Sequence, residues 1–253
     1  MPRLRKYMEV KLTVVGCSPA WPNPGGAQSG YVVEDAGARV LLDCGPGVLA
    51  RLREGERPWP RIDAIAITHF HLDHWGDLVP WVWGAKFGPA AELPAPELWL
   101  PPGGRRLLSE LGGRLGQPEM FEQAFDVREY EDGTPFAAAG IDVVAVRVLH
   151  YQLEAYGFRV SSNGTVVAYS GDSGPSDALT ELARDADLFV CEATLLDGTE
   201  AREGEPRGHL SPSEAASAAR AAGAKRLLLT HRPTERPLPD GFEQAADGQE
   251  LEL

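Results

Sequence analysis

Thr68-His69-Phe70-His71-Leu72-Asp73-His74 is the stretch whose reading decides the fold. It places three imidazoles and one carboxylate in the spacing H-x-H-x-D-H, in a chain that has only 6 histidines. Side chains crowded in this way repel one another on protonation unless a divalent cation takes up their lone pairs. Residues 62–67, just upstream, have the apolar, β-branched character of a short buried strand. Downstream, Trp75-Gly76-Asp77-Leu78 reads as a turn running into a helix. The end of a strand, on the loop before a helix, is where α/β folds place their chemistry.

Working outward, the same strand-then-ligand arrangement recurs. Residues 10–15 form a strand ended by Gly16, and 29–34 and 39–43 form a hairpin turning at Asp35-Ala36-Gly37. Further strands are expected over 98–100, 125–130, 141–149, 156–160, 165–169, 188–192 and 226–230, with a turn at Ser162-Asn163-Gly164. Helices are expected over 48–54, 77–87, 105–115 and 177–184. Another opens at Ser211, with Pro212 first and Glu214 third, and stops at Gly223. The tail beyond Arg236 is polar and reads as one helix and a short edge strand. Trp81 and Trp83 are read as core rather than as a substrate platform. Strand runs followed by strand–helix alternation give an α/β fold, an αββα sandwich of two facing mixed sheets flanked by helices, as one domain over 1–253.

His150 and His231 each follow a strand-like run, and Asp172 follows 165–169 through Ser170-Gly171. If those strand ends face one rim, seven groups converge: His69, His71, Asp73, His74, His150, Asp172 and His231. Nitrogen and oxygen donors without sulfur suit two zinc ions, with manganese or iron(II) as substitutes. Asp43 ends an apolar strand, where it is either a helix cap or loop residue or a carboxylate that orients the His-rich loop.

Composition narrows the function. Hydrophobic residues make up 43% of the 253, enough for a substantial core, and no run reaches the 18 or so apolar residues of a membrane span. The basic N-terminus lacks the apolar stretch of a secretion signal, so a cytoplasmic location is expected. Cys17, Cys44 and Cys191 each lie in or beside an apolar run without a C-x-x-C pair, which argues against a thiolate metal site. A net charge of −13 disfavours extended nucleic acid as a partner. Two bound divalent ions would offset about four units of that charge, leaving room for a small phosphate-bearing substrate.

Taken together, Leu42-Asp43-Cys44-Gly45, the THFHLDH motif, His150, Ser170-Gly171-Asp172 and Leu229-Thr230-His231 resemble the metallo-β-lactamase superfamily, and within it the ribonuclease Z-like branch. The resemblance runs over about residues 10–231. It implies one metal held by His69, His71 and His150, a second by Asp73, His74 and His231, and Asp172 bridging them. Asp43 matches the family's buried carboxylate beneath the His-rich loop. Glu192-Ala193-Thr194 and Gly208-His209-Leu210-Ser211 resemble the branch's remaining segments. They make His209 a catalytic group outside the ligand set, unless it is an exposed loop histidine. Glu192 orients a ligand or His209, unless its role is structural. Asp73 is expected to take up or steer the proton of the attacking water.

The pattern also departs from ribonuclease Z. Bacterial members carry a long arm between the positions matching His150 and Asp172, whereas only a hairpin's worth of chain lies between them here. The loop over 197–208 is acidic on balance. These features point to a metal-dependent phosphodiesterase acting on a small nucleotide-type substrate. A carbonyl hydrolase of lactone, thioester or β-lactam type, a ribonuclease Z-type endonuclease and a non-catalytic metal-binding module stay open. The resemblance further implies a homodimer.

Overall fold

The computed structural model describes residues 9–56, 58–199 and 206–253. Its first six strands are β1 (Lys11–Gly16), β2 (Gly30–Asp35), β3 (Ala38–Leu42), β4 (Ala64–Ala66), β5 (Glu97–Leu100) and β6 (Asp126–Glu129). The next six are β7 (Pro135–Ala138), β8 (Ile141–His150), β9 (Leu153–Ser162), β10 (Thr165–Tyr169), β11 (Leu188–Glu192) and β12 (Leu227–Thr230). A last strand, β13 (Glu250–Glu252), returns to pair with β1. The helices are α1 (Val48–Gly55), α2 (Leu72–Trp75), α3 (Leu78–Phe87), α4 (Gly104–Arg114), α5 (Met120–Ala124), α6 (Ala178–Leu182) and α7 (Pro212–Ala222).

One sheet has the order β13-β1-β2-β3-β4-β5-β6 and the other β12-β11-β10-β9-β8-β7. Both are mixed. β3 to β6 run parallel beside an antiparallel half, and β10 to β12 run parallel beside the β7–β10 meander. Side chains alternate across each strand and so feed different layers. Val40 and Leu42 enter the core between the sheets, where they meet Val143, Phe158, Tyr169 and Val190. Leu41 and Ile65 point the other way, toward α1, α3 and α5. A third layer packs Phe189 and Cys191 of β11 against α6 and α7. Parallel strands buried on both faces read as unbroken apolar runs, which explains why 62–67 and 188–192 lack alternation. The αββα sandwich expected from the sequence is the fold observed.

Local chemistry sets the connections. Asp35 pairs with Ala38, Ala138 with Ile141, and Ser162 with Thr165, each across two residues. The intervening pairs (Ala36-Gly37, Ala139-Gly140 and Asn163-Gly164) all have positive φ, as tight hairpin turns that match strand twist require. Ser211 and Glu214 form the expected capping box on α7, and Gly223 ends it at φ 69°.

Some expectations shift. Leu72–Trp75 is already helical, so Asp73 and His74 lie on a helical turn rather than on an extended loop. α5 was not legible, since five residues are too few to show a periodic face. The polar tail carries its edge strand but, among the described residues, no helix. Trp81 is core, packed edge-on against Trp59, whereas Trp83 is partly exposed and stacks on Phe87. All three cysteines are free and buried. Among the described residues, no helix is long and apolar enough to cross a membrane.

The segment after β3 is clamped to the His-rich stretch. Cys44 N donates to His74 O at 2.7 Å, and Asp77 N donates to Cys44 O at 3.0 Å. Gly45 lies between, where an added Cβ would overlap the carbonyl oxygen of Asp73. Gly45→Ala must therefore displace the helical turn that carries Asp73 and His74. We expect it to cost about 1–3 kcal/mol. Calorimetry should show the melting midpoint falling by roughly 2–4 °C per kcal/mol. An unchanged midpoint would show that the loop yields freely.

Candidate metal centre

Four strands deliver the chemistry to one rim. His69 and His71 follow β4, and Asp73 and His74 stand on α2. His150 is the last residue of β8, Asp172 lies just past β10, and His231 follows β12. Two donor sets result, His69–His71–His150–Asp172 and Asp73–His74–Asp172–His231, and within each the ligand atoms lie within 4.8 Å of one another. Asp172 belongs to both. Every member except His71 is buried.

Hydrogen bonds fix which nitrogen of each ring faces inward. His74 Nδ1 donates to Asp43 Oδ2 at 2.7 Å, and His150 Nδ1 to the Gly208 carbonyl at 2.7 Å. His231 Nδ1 bonds Thr194 Oγ1 at 2.8 Å, and His69 Nδ1 bonds Thr68 Oγ1 at 3.0 Å. The opposite nitrogens of all four are thereby turned into the cluster. His69 Nε2, His74 Nε2 and Asp172 Oδ1 are buried without a hydrogen-bond partner. His150 Nε2 and His71 Nδ1 face each other at 2.9 Å. Buried polar atoms left unpaired at one point need a cation, and these residues fit one.

Electrostatics agree with that role. Burial pushes His69 and His71 below the ordinary imidazole range and His150 down to about 4, so their lone pairs are free at neutral pH. Burial opposes charge on His74 as well, but the Asp172 and Asp43 carboxylates override it and raise its pKa well above the usual value. Asp172 is likewise held ionised against its burial, by His231 and His74. Positive charge is favoured at the point where the two sets meet.

Asp43 is wholly buried and accepts from His74, from Thr68 N at 2.8 Å, from Thr68 Oγ1, and from Tyr169 OH at 2.8 Å. The structure thus resolves the alternatives left by the sequence: Asp43 orients the His-rich stretch and caps no helix. Glu192 is also wholly buried. Its oxygens accept from Ser173 N at 3.1 Å, from Thr194 N and Oγ1 at 3.0 Å, and from His209 Nδ1 at 2.8 Å. His209 therefore stands at the rim, 4.0 Å from Asp172 and stacked on His231 at 5.7 Å between ring centroids. Burial disfavours its charged form, but Glu192 and then Asp172 raise its pKa to about 9. Glu192, His209 and His231 could in principle hold a cation themselves. The Glu192 carboxylate is spent on protein donors, so a positioning role for it is the better account.

All ten residues singled out from the sequence are brought together here. Thr68, Thr194 and the Gly208 carbonyl were missed as orienting groups, because a hydroxyl or backbone oxygen leaves no signature of its own.

A model of the β-lactamase superfamily domain matches residues 38–232. The chain belongs to the β-lactamase superfamily of metallo-hydrolases. Its curated relatives include a probable metallo-hydrolase, YhfI of Bacillus subtilis, 30% identical over 88% of this chain and 87% of that one. A ribonuclease Z of Salinibacter ruber is 30% identical over 94% of this chain and 89% of that one. That match spans 293 positions, more than the 253 residues present here, so the relative carries insertions without counterpart. The crystal structure of YhfI superposes with a TM-score of 0.84 at 24% identity, covering 97% of this chain and all of that one.

Two substitutions separate bridging from orienting within this superfamily site. Asp172→Ala, which removes the residue common to both sets, should abolish retention of both ions in elemental analysis; two ions retained would refute sharing. Asp43→Asn keeps every inward-facing donor and should weaken metal affinity by about 10–100-fold in a chelator competition.

Proposed function

We propose that this chain is a dinuclear zinc phosphodiesterase, with manganese or iron(II) able to replace zinc, acting on a small nucleotide-type phosphodiester. The observation that carries the reading is His209, anchored by Glu192 beside the shared Asp172 yet belonging to neither four-residue donor set. With Nδ1 committed to Glu192, its Nε2 is the nitrogen available to a substrate. Two divalent ions supply Lewis acidity and acidify water toward neutral pH when bound.

The chain's own groups do the rest. Asp73 Oδ2 lies 3.1 Å from His231 Nε2 and 3.4 Å from His74 Nε2, which hold its carboxyl well below the usual range against its burial, so it can steer the water's proton by accepting a hydrogen bond. His209 carries a proton at neutral pH. It can stabilise negative charge on the phosphoryl oxygens or protonate the departing alkoxide. A positively charged donor at the rim suits a substrate that is anionic before and during reaction.

Size and charge favour a small substrate. β9, β10 and their turn occupy nearly all the chain between His150 and Asp172, so no arm reaches out to grip a long polynucleotide. The net charge of −13 points the same way. Part of the acidic loop over 197–208 falls outside the described residues. The ribonuclease Z relative supports phosphodiester chemistry at such a centre, on a different size of substrate.

The test is turnover by the zinc- and manganese-loaded protein of bis(p-nitrophenyl) phosphate, cyclic nucleotides, precursor tRNA, thioesters and lactones. Small phosphodiesters should be cleaved fastest, and turnover confined to thioesters or lactones would overturn the reading. His209→Ala should lower kcat about 10²-fold or more with metal content unchanged. Loss of metal instead would make His209 a ligand.

A further inference from the structure

The loop that follows β12 carries a cation that belongs to neither donor set. Arg232, next to the donor His231, is 1% exposed and is among the largest fully buried side chains. Among the described residues its guanidinium meets carbonyl oxygens alone. Nη1 donates to Ala193 O and Nη2 to Arg236 O at 2.9 Å, while Nε is buried without a partner. A charge taken out of water with no carboxylate against it is costly. An apolar side chain would fill the same space at less cost, so the guanidinium is there for what it holds.

What it holds is the segment from Glu192 to Thr194. Glu192 anchors His209, and Thr194 Oγ1 accepts from His231 Nδ1 at 2.8 Å. Between them, both backbone groups of Ala193 are fastened to the strand end that carries His231. Its N donates to Thr230 O at 3.0 Å, and its O accepts from Arg232. A second arginine repeats the contact one residue on: Arg236 Nη1 donates to Thr194 O at 2.7 Å. The loop is itself tied down, since Asn23 Nδ2 donates to Arg232 O at 2.9 Å and Thr234 N donates to Asn23 Oδ1 at 3.0 Å.

His231 needs this support. Its backbone lies in the left-handed region at φ 56°, which residues with a side chain avoid. Strain of this kind persists only where neighbours hold it. Thr194 is such a neighbour, because its Oγ1 also lies 3.0 Å from the His231 carbonyl oxygen. The hydroxyl thus touches both the ring and the backbone of the donor, and it is only as firm as the main chain beneath it.

We propose that Arg232 is a positioning residue for the cation of the Asp73–His74–Asp172–His231 set: by holding Ala193 it fixes Thr194, and Thr194 fixes His231. The inference rests on the two-metal reading of the site and not on the identity of the substrate. His69 and His150 are oriented from elsewhere, by Thr68 Oγ1 and Gly208 O, so the ion they hold is spared.

The test measures both zinc affinities by chelator competition in the wild type, Arg232→Met, Thr194→Val and the double variant. Methionine adapts to the vacated space without supplying donors. Arg232→Met should weaken one ion by about 10–100-fold and leave the other within about threefold. Because the two residues act in series, the double variant should bind the weakened ion within about twofold of Thr194→Val alone. Arg236 is partly exposed, so Arg236→Met probes the same grip if Arg232→Met does not fold. It should weaken the same ion by about threefold. Equal losses at both ions, full additivity of the Arg232 and Thr194 substitutions, or no change in either arginine variant overturns the proposal. Wild-type protein that retains fewer than two zinc ions overturns the two-metal reading along with it.

Discussion

The site depends on one buried carboxylate. Asp43 directly follows β3 of the first sheet with φ 61°, a costly conformation for a residue with a side chain. Its oxygens take hydrogen bonds from Thr68 and His74 of the His-rich stretch and from Tyr169 at the end of β10 in the second sheet. A single anion thus ties both sheets to the loop at the rim where the donors gather. Buried away from water, it would be expensive to leave unsatisfied, so its partners are held in place. The inward direction of His74 Nε2 follows from that constraint.

The same logic repeats around the cluster. Four of the five donor-set imidazoles are pinned from behind by an oxygen: a carboxylate for His74, a carbonyl for His150, a hydroxyl for His69 and His231. Lone pairs turned inward without partners are tolerable only around a cation. Folding therefore assembles a pocket of unmet demand, and metal binding and stability are linked. Glu192 does for His209 what Asp43 does for His74, but the group it orients belongs to neither four-residue donor set.

Much of this was legible in the sequence, for identifiable reasons. Histidines are scarce in the chain, so those that follow strands stand out, and a parallel strand end is where such residues can converge. The seven donors, Asp43, Glu192 and His209 are all reached from that pattern together with the family resemblance. The sandwich was legible through turn chemistry such as Asn163-Gly164 and through the unbroken apolar runs of the parallel strands. What escaped were effects without a side-chain signature. The helical turn under Asp73 and His74 is only four residues long, and Thr68 and Thr194 act through ordinary hydroxyls.

The central claim is that two cations sit on either side of Asp172. Anomalous diffraction at the zinc edge, from crystals of the zinc-loaded protein, tests it most directly. The account predicts two peaks about 3.5–4 Å apart, one among His69, His71 and His150 and the other among Asp73, His74 and His231, with the Asp172 carboxylate between them. A single peak, or a peak among Glu192, His209 and His231, would contradict it.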